Sequence, residues 1–269
     1  HYSKAIEIQP NHIDAYTNLL LNTCLLSNNK YLKIAKKYYE AIPKYDERGL
    51  TQYKTSSKKI LKVGFVSGDF RRHSVVFFLL DTFKYLCKKK IKLFAYSNNS
   101  YEDDYTKLIK GYFDNWISVI YKTDKDLINL IRKDNLDILF DLSGHTANNR
   151  LTVFKNRCAP IQATWCGWLA STGVKEIDYI IGDKYATPLS DQIKFTEKIY
   201  QLKKIWQCSS IPNLDFKVPF IKKNNEWYER NVKFSKLTQP KFIDILVDIK
   251  KIEKKIGFKI GRASCRERV

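Results

Sequence analysis

The sequence predicts an α/β protein with a parallel sheet, preceded by a purely helical segment. From Lys62 onward, short β-rich runs alternate with helical stretches, which is the pattern of strands joined by crossover helices. Before Lys62, apolar side chains recur at helical spacing instead. A chain of 269 residues with 44% hydrophobic content is long enough to form about two such domains.

The helical segment covers residues 1–45. Its apolar spacing runs up to Pro10 and resumes with Ala15 and Tyr16, which predicts an antiparallel helical hairpin. A proline followed by a small-aromatic pair is similar to the junction between two tetratricopeptide repeats. We therefore expect 1–45 to be the end of a tetratricopeptide-repeat region, with a linker over 46–60.

An α/β unit is expected over residues 61–211. Six β-rich runs predict its strands, at 63–67, 91–96, 117–121, 138–142, 161–166 and 179–181. Helices are predicted at 75–87, 105–116 and 127–135. The periodicity weakens after Pro188, which indicates a crossover or linker. Residues 212–259 are expected to begin a second α/β half, with a helix over 237–252.

The composition excludes several classes of protein. The six cysteines form no CxxC pair and no Cys/His cluster, so neither a disulfide framework nor a zinc site is predicted. The apolar runs are far shorter than the roughly 20 residues of a membrane span, and no signal peptide opens the chain. We expect a cytoplasmic protein with no membrane partner.

The net charge of +20 could indicate a nucleic-acid partner. However, lysine comes in short runs beside abundant Asn and Ile, so a general drift in composition explains the charge equally well. Because no nucleic-acid motif is present, nucleic acid is not among the expected partners.

Both ends of the chain have the character of cut ends. The sequence contains no methionine and opens directly in helical periodicity, so we expect a fragment of a longer protein. Residues 260–269 resemble a translated sequencing adapter, so we do not expect them to belong to the native fold.

Chemistry-bearing side chains follow three of the predicted strands, where ligands bind in an open parallel sheet. They are Asp69 and His73 after the first strand, Gly144, His145 and Thr146 after the strand at 138–142, and Cys166 and Gly167 at the end of the strand at 161–166. Taken singly, either histidine could be a satisfied structural group. The loop from Gly167 to Gly173 could be a plain turn, since it is neither a dinucleotide-binding nor a Walker motif.

One pattern imitates a metal site. Asp124-Lys125-Asp126 matches the Asp-x-Asp motif that holds a divalent metal and a nucleotide sugar in some glycosyltransferases. Thr123 and Asp126 also have the spacing of a capping box, which predicts that these carboxylates serve a helix N-terminus. No metal ligand is therefore assigned.

Four ordered motifs carry a resemblance to a known family. They are VGFVSGDF at 63–70 with His73, DLSGHT at 141–146, APIQATWCG at 159–167 and DYIIGD at 178–183. In order and spacing they resemble the catalytic region of the O-linked N-acetylglucosamine transferases, including bacterial relatives with tetratricopeptide repeats. The resemblance implies a GT-B architecture, in which 61–211 is the N-terminal Rossmann-like catalytic half. It also implies inverting transfer from UDP-N-acetylglucosamine to Ser/Thr hydroxyls of protein or peptide acceptors, without a metal or other cofactor.

The resemblance also implies roles for the seven candidate residues. His73 matches a histidine close to the sugar and pyrophosphate, and Asp69 matches an acid considered for proton acceptance. Cys166 and Gly167 match a loop lining the sugar pocket. Gly144, His145 and Thr146 fall in a motif whose loop borders the active site.

The sequence departs from the family at three places, one of which is 226–231, where the family has a Gly-containing strand. Ser74-Val75 and Leu169-Ala170 stand where the family has other pairs, Pro-Thr and Pro-Gly. Most donor contacts in the family come from the C-terminal half, so this fragment alone is expected to be a poor catalyst. Two alternatives stay open: the same fold with another donor sugar, fucose or a hexose, and a non-catalytic repeat scaffold that binds proteins.

Overall fold

A computed structural model describes residues 1–24, 28–45, 60–84 and 90–207. Three helices come first, rather than the two of a simple hairpin: α1 (Tyr2–Ile8), α2 (Ile13–Thr23) and α3 (Asn28–Ala41). The predicted break after Pro10 separates α1 from α2. The side chain of His12 accepts a hydrogen bond from the Ala15 amide and so caps α2.

The remaining described residues form a seven-stranded sheet in which every pairing is parallel. The strands are β1 (Leu61–Ser67), β2 (Ile91–Ser97), β3 (Asn115–Ser118), β4 (Ile138–Asp141), β5 (Ile161–Thr164), β6 (Tyr179–Asp183) and β7 (Lys198–Leu202). The helices between them are α4 (Ser74–Lys84), α5 (Asp104–Lys110), α6 (Asp124–Asp134) and α7 (Leu151–Lys155), with a 3₁₀ helix at Leu189–Lys194. The spatial order is β3-β2-β1-β4-β5-β6-β7.

All six predicted strands are present, but three predictions were wrong in detail. The strand expected over 117–121 is found at Asn115–Ser118. The helix expected over 105–116 ends at Lys110, because the chain leaves it at Gly111 and Trp116 belongs to β3. The stretch after Pro188 was expected to be a linker, yet it contains the 3₁₀ helix and β7.

The central strands are buried on both faces, as a parallel sheet covered by helices requires. All residues of β4, β5 and β6 are buried. One core contains Leu61, Val63 and Phe65 with the apolar face of α4. The second core, which contains Val66, also takes in side chains from α2, α3, α6 and α7.

Helix α3 is anchored to this second core by polar contacts as well. The Tyr31 hydroxyl donates a hydrogen bond of 2.6 Å to the Ser171 carbonyl. The Lys155 ammonium donates to the carbonyls of Tyr39 and Ile42, both at 2.7 Å, and so satisfies the C-terminal end of α3. The upstream helices and the sheet therefore share one packed interior.

Several expectations lie outside the described residues. They are most of the linker at 46–60, the second half at 212–259 with its helix, the adapter-like 260–269, and the cysteines at 87, 208 and 265. Within the described ranges Cys24, Cys158 and Cys166 are free thiols. In the same ranges no helix is both long and apolar enough to cross a bilayer.

Candidate active site

The candidate site lies where the strand order reverses. The first strand, β1, pairs with β2 on one side and with β4 on the other. Crossovers from the two sides therefore diverge at the carboxyl ends of β1 and β4, which is where open α/β sheets bind ligands. The loops at this switch point are residues 68–73 and 142–150.

Gly68 allows these two loops to meet. Its amide donates a hydrogen bond of 3.2 Å to the Ser143 hydroxyl. A Cβ at position 68 would lie 2.8 Å from Asn148 Cβ, 2.9 Å from the Asn148 carbonyl and 3.1 Å from the Ala147 carbonyl. The loop from β4 therefore crosses directly over the end of β1, and only glycine leaves room for it.

Asp69 follows this contact and is largely buried, with 8% of its side chain exposed. The Asp69 amide donates to the Ser67 hydroxyl at 2.9 Å, which fixes the turn. Its Oδ1 accepts a hydrogen bond of 3.2 Å from Arg71 Nη2. The same oxygen lies 4.0 Å from Nε2 of His73. One carboxylate thus faces both a guanidinium and an imidazole.

His73 stands at the start of α4 with 35% of its side chain exposed. Its Nδ1 accepts a long hydrogen bond of 3.4 Å from the Val75 amide. Because Nδ1 acts as an acceptor, the neutral ring carries its proton on Nε2. That nitrogen faces Asp69, so neutral His73 can donate a hydrogen bond toward the site.

Asp141 closes β4 and holds the second loop from inside. It is fully buried, and it accepts hydrogen bonds from the amides of Ser143 and Gly144 and from the Thr164 hydroxyl. Burial raises the pKa of this carboxyl to about 6. No role is predicted for Asp141 from the sequence motif, although its position as the last residue of a buried strand is a signal for this role.

His145 is fully buried, away from the open edge. Its Nε2 lies 2.9 Å from the Thr172 carbonyl, while Nδ1 has no hydrogen-bond partner among the described residues. The ring makes edge contacts with Tyr38 and Trp168, with centroids 4.7 Å and 5.6 Å apart. Burial lowers the pKa of His145 to about 4, so the ring is neutral at physiological pH. This placement joins the loop to α3 and exposes no ring atom to a ligand.

The neighbouring candidates are mostly packing residues too. Gly144 has φ +56°, and a Cβ there would overlap the Trp168 ring. A Cβ on Gly167 would overlap the Leu142 carbonyl. Cys166 is buried with φ +57°, and burial raises the pKa of its thiol.

Among the seven predicted site residues, the structure brings Asp69, His73 and Thr146 to the partly open edge of the sheet. Thr146 is half-buried, and its hydroxyl donates to the Ser143 carbonyl at 2.9 Å. The roles and substrate contacts expected of all seven residues stay predictions.

The metal-like Asp-x-Asp pattern lies at the start of α6, and Thr123 is confirmed as the N-cap of that helix. Thr123 accepts a hydrogen bond from the Asp126 amide and donates one to the Asp126 carboxylate. Asp124 forms an ion pair of 2.7 Å with Arg150. No group of three potential metal-ligating side chains occurs anywhere in the described ranges.

Comparison with known proteins agrees with this architecture. The chain is 27% identical to a solved bacterial structure, a mutant O-GlcNAc transferase from Thermobaculum terrenum, with a TM-score of 0.73. That match covers 79% of this chain and 42% of the bacterial one. The doubly wound sheet and the match to this bacterial structure together define the class of protein. The fold is that of a GT-B glycosyltransferase.

The sequence comparisons identify the family. The family model described as glycosyl transferase family 41 matches residues 35–257, and the chain belongs to this family. It is 31% identical over 223 residues to a rice protein, the probable UDP-N-acetylglucosamine–peptide N-acetylglucosaminyltransferase SPINDLY. It is 26% identical over 155 residues to the Arabidopsis thaliana relative named SEC.

This chain covers only part of those relatives. The match to the rice protein takes in 78% of this chain but 23% of that protein, and the match to SEC takes in 57% and 16%. The chain thus spans less than a quarter of the length of either plant relative.

Proposed function

We propose that the protein to which this chain belongs transfers N-acetylglucosamine from UDP-N-acetylglucosamine to Ser/Thr hydroxyls of protein acceptors. Membership of family 41 and the names of the plant and bacterial relatives support the reaction class. The observation that carries the proposal is the placement of His73 beside Asp69, 4.0 Å apart, at the switch point of the sheet. Transfer takes place in the cytoplasm, without membrane or nucleic-acid partners.

The transfer is a direct displacement that inverts the anomeric carbon. The bond from that carbon to the diphosphate oxygen breaks as the bond to the acceptor oxygen forms. The hydroxyl proton departs late, and electron density collects on the diphosphate. Such a reaction needs hydrogen-bond donors at the leaving group and a basic group near the acceptor.

His73 and Asp69 can supply both requirements. Neutral His73 carries its proton on Nε2, so it donates toward the oxygen on which charge develops. The Asp69 carboxylate is a basic oxygen next to that donor and can receive a proton from the acceptor side. Neither group is assigned as the sole base.

The proposed transfer does not use a divalent metal. In the Asp-x-Asp pattern the Asp124 carboxylate is paired with Arg150, and the Asp126 carboxylate is bonded to Thr123. The negative charge of the diphosphate is then neutralised by cationic side chains from the two halves of the enzyme. Activity that survives an excess of EDTA is expected, and activity restored only by added Mg²⁺ or Mn²⁺ would contradict this part of the proposal.

The test uses the full-length protein with UDP-N-acetylglucosamine and a panel of candidate acceptor proteins. Intact-mass spectrometry should show added N-acetylhexosamine with the unmodified enzyme and a loss of at least about 100-fold in rate for His73→Ala. His12→Asn is the matched control, because it changes a histidine outside the site and keeps a capping side chain on α2.

Other outcomes separate the alternatives. Addition only from GDP-fucose or UDP-glucose would keep the fold and change the donor. Equal rates for the enzyme and His73→Ala would move the chemistry to other groups. Failure with every donor and acceptor would favour a repeat scaffold that binds proteins without catalysis.

A further inference from the structure

Arg71 lies between Asp69 and Tyr101, and the reaction proposed above gives it no part. Its Nη2 donates to Asp69 Oδ1 at 3.2 Å, and its Nη1 donates to the Tyr101 hydroxyl at 3.0 Å. The guanidinium also lies 5.7 Å from the centroid of the Tyr101 ring. One arginine thus ties the loop after β1 to the loop after β2.

The shared oxygen of Asp69 is committed to this arginine. A separation of 3.2 Å is a charge-assisted hydrogen bond, whereas the 4.0 Å to His73 Nε2 is beyond hydrogen-bond reach. Without the Arg71 guanidinium, the Asp69 carboxylate, which is only 8% exposed, would favour pairing with another cation. The only imidazole facing it within the described residues is that of His73.

Tyr101 fixes the guanidinium in this position. Its hydroxyl, followed by the Asp69 carboxylate, raises the pKa of Arg71 above its ordinary value, so the side chain is charged at every pH of interest. With 31% of the side chain exposed, the guanidinium still reaches solvent.

We propose that Arg71 is a positioning residue that neutralises Asp69 and so keeps His73 from being held as an imidazolium at neutral pH. His73 would otherwise face an unpaired, poorly hydrated carboxylate at 4.0 Å, which favours the charged ring. In the structure, Nδ1 of His73 accepts the hydrogen bond from the Val75 amide, which leaves Nε2 facing the Asp69 carboxylate. The catalytic consequence rests on the proposed function, whereas the effect on the charge of His73 does not.

Four other charged or titratable groups near this segment, within the part of the chain that the structure describes, make contacts of their own. From the loop after β2, Asp103 accepts the Arg72 amide at 2.7 Å and caps α5, and Tyr101 bonds Arg71. From the end of β4, Asp141 is held by its own loop. Arg72 lies over the Tyr105 ring, 6.0 Å from its centroid. Asp69 is thus the carboxylate that decides the charge of His73.

The test is an NMR titration of the imidazole rings in the chain itself, which has only four histidines. In Arg71→Gln the midpoint of the His73 titration should rise by about 0.5 to 1 pH unit, because a nearby unpaired carboxylate favours the charged ring. Arg71→Lys should keep the midpoint near its original value. Arg72→Gln is the matched control and should shift it by less than about 0.2 unit, since an exposed charge is screened.

A second arm shows whether the effect passes through Asp69. In an Asp69→Asn background, Arg71→Gln should produce less than half of the shift seen in the native background. An unchanged midpoint in Arg71→Gln, an equal shift from Arg72→Gln, or a full shift without the carboxylate would each overturn the proposal. These titrations need no substrate, so they stand or fall separately from the transferase activity.

In the full-length enzyme, the acid limb of the rate profile for Arg71→Gln should move to higher pH in step with the titration. A rise in KM for the donor with an unmoved acid limb would instead show that Arg71 holds the diphosphate. That result would overturn the positioning role.

Discussion

The contact at Gly68 gives a prediction that links packing to the site. In Gly68→Ala the new methyl would lie 2.9 Å from the Asn148 carbonyl and 3.1 Å from the Ala147 carbonyl, whereas ordinary contact begins at 3.4 Å. The overlap is with backbone, so no side-chain rotation relieves it. The loop after β4 must move by about 0.5 Å, and overpacking of this kind destabilises a protein by roughly 1–3 kcal/mol.

Chemical and thermal denaturation of the chain measure the loss of stability. A loss of about 2 kcal/mol corresponds to a fall in Tm of roughly 4–8 °C for a domain of this size. Gly111→Ala is the matched control, because its methyl would meet only the Leu108 carbonyl at 3.4 Å and its φ is −63°. That change should be neutral or stabilise the fold by up to about 1 kcal/mol.

The second consequence is catalytic. A shift of about 0.5 Å between the two loops that border Asp69 and His73 should lower the rate of the full-length enzyme by about 10-fold or more, since reacting groups tolerate little misplacement. If Gly68→Ala unfolds at the same denaturant concentration as the unmodified chain and keeps its rate, the close approach of the two loops is not what requires glycine here.

Three further predictions concern the residues packed behind the site. Lys155→Met removes both hydrogen bonds to the end of α3 and should destabilise the fold by about 2–4 kcal/mol. Lys175→Met is the control, because the Lys175 ammonium lies over the Tyr39 ring at 4.9 Å, and it should change the unfolding free energy by less than about 0.5 kcal/mol. Equal effects of the two substitutions would show that Lys155 does not cap the helix. Burial lowers the pKa of His145 to about 4 in the folded state, against 6.5 in the unfolded state, so this group destabilises the fold as the pH falls through that interval. His145→Gln should therefore lose less unfolding free energy between pH 7 and 5 than the unmodified chain. Asp141 acts in the opposite sense, because its raised pKa of about 6 lets the folded state bind a proton before the unfolded state does. Asp141→Asn should therefore lose unfolding free energy more steeply on acidification than the unmodified chain. An unchanged dependence of the unfolding free energy on pH, in either the His145 or the Asp141 variant, would contradict the pKa shift of that residue.

The central strands were predictable, whereas of the two edge strands β3 was predicted with displaced bounds and β7 was missed. The four residues Ile138–Asp141 are all buried, so the strand is visible as a continuous apolar run. In Lys198–Leu202 only Ile199 and Leu202 are buried, and so short a pattern resembles a loop. Trp116 sits at helical spacing from the apolar residues of α5 and was placed in that helix, although Gly111 had already ended it.

For the site, the topology was predictable and the burial was not. Asp69 and His73 follow one strand of a parallel sheet, so their meeting at its carboxyl edge follows from sequence alone. His145 follows another strand of the same sheet, yet it is covered by Tyr38, which is distant in the sequence. A sequence pattern gives the edge on which a side chain starts, but long-range packing decides whether it reaches solvent.

Because α3 and the sheet share one packed interior, the order of synthesis affects how the chain folds on the ribosome. Tyr31 finds its partner Ser171 only 140 residues later, and Ala35 packs against Gly173 just beyond it. At a synthesis rate of about 5–20 residues per second, the apolar side of α3 stays uncovered for roughly 7–30 s after it leaves the ribosome. Helix α3 is thus synthesised well before its packing partners, and during that interval its apolar side is a surface that a chaperone, or another nascent copy, can bind.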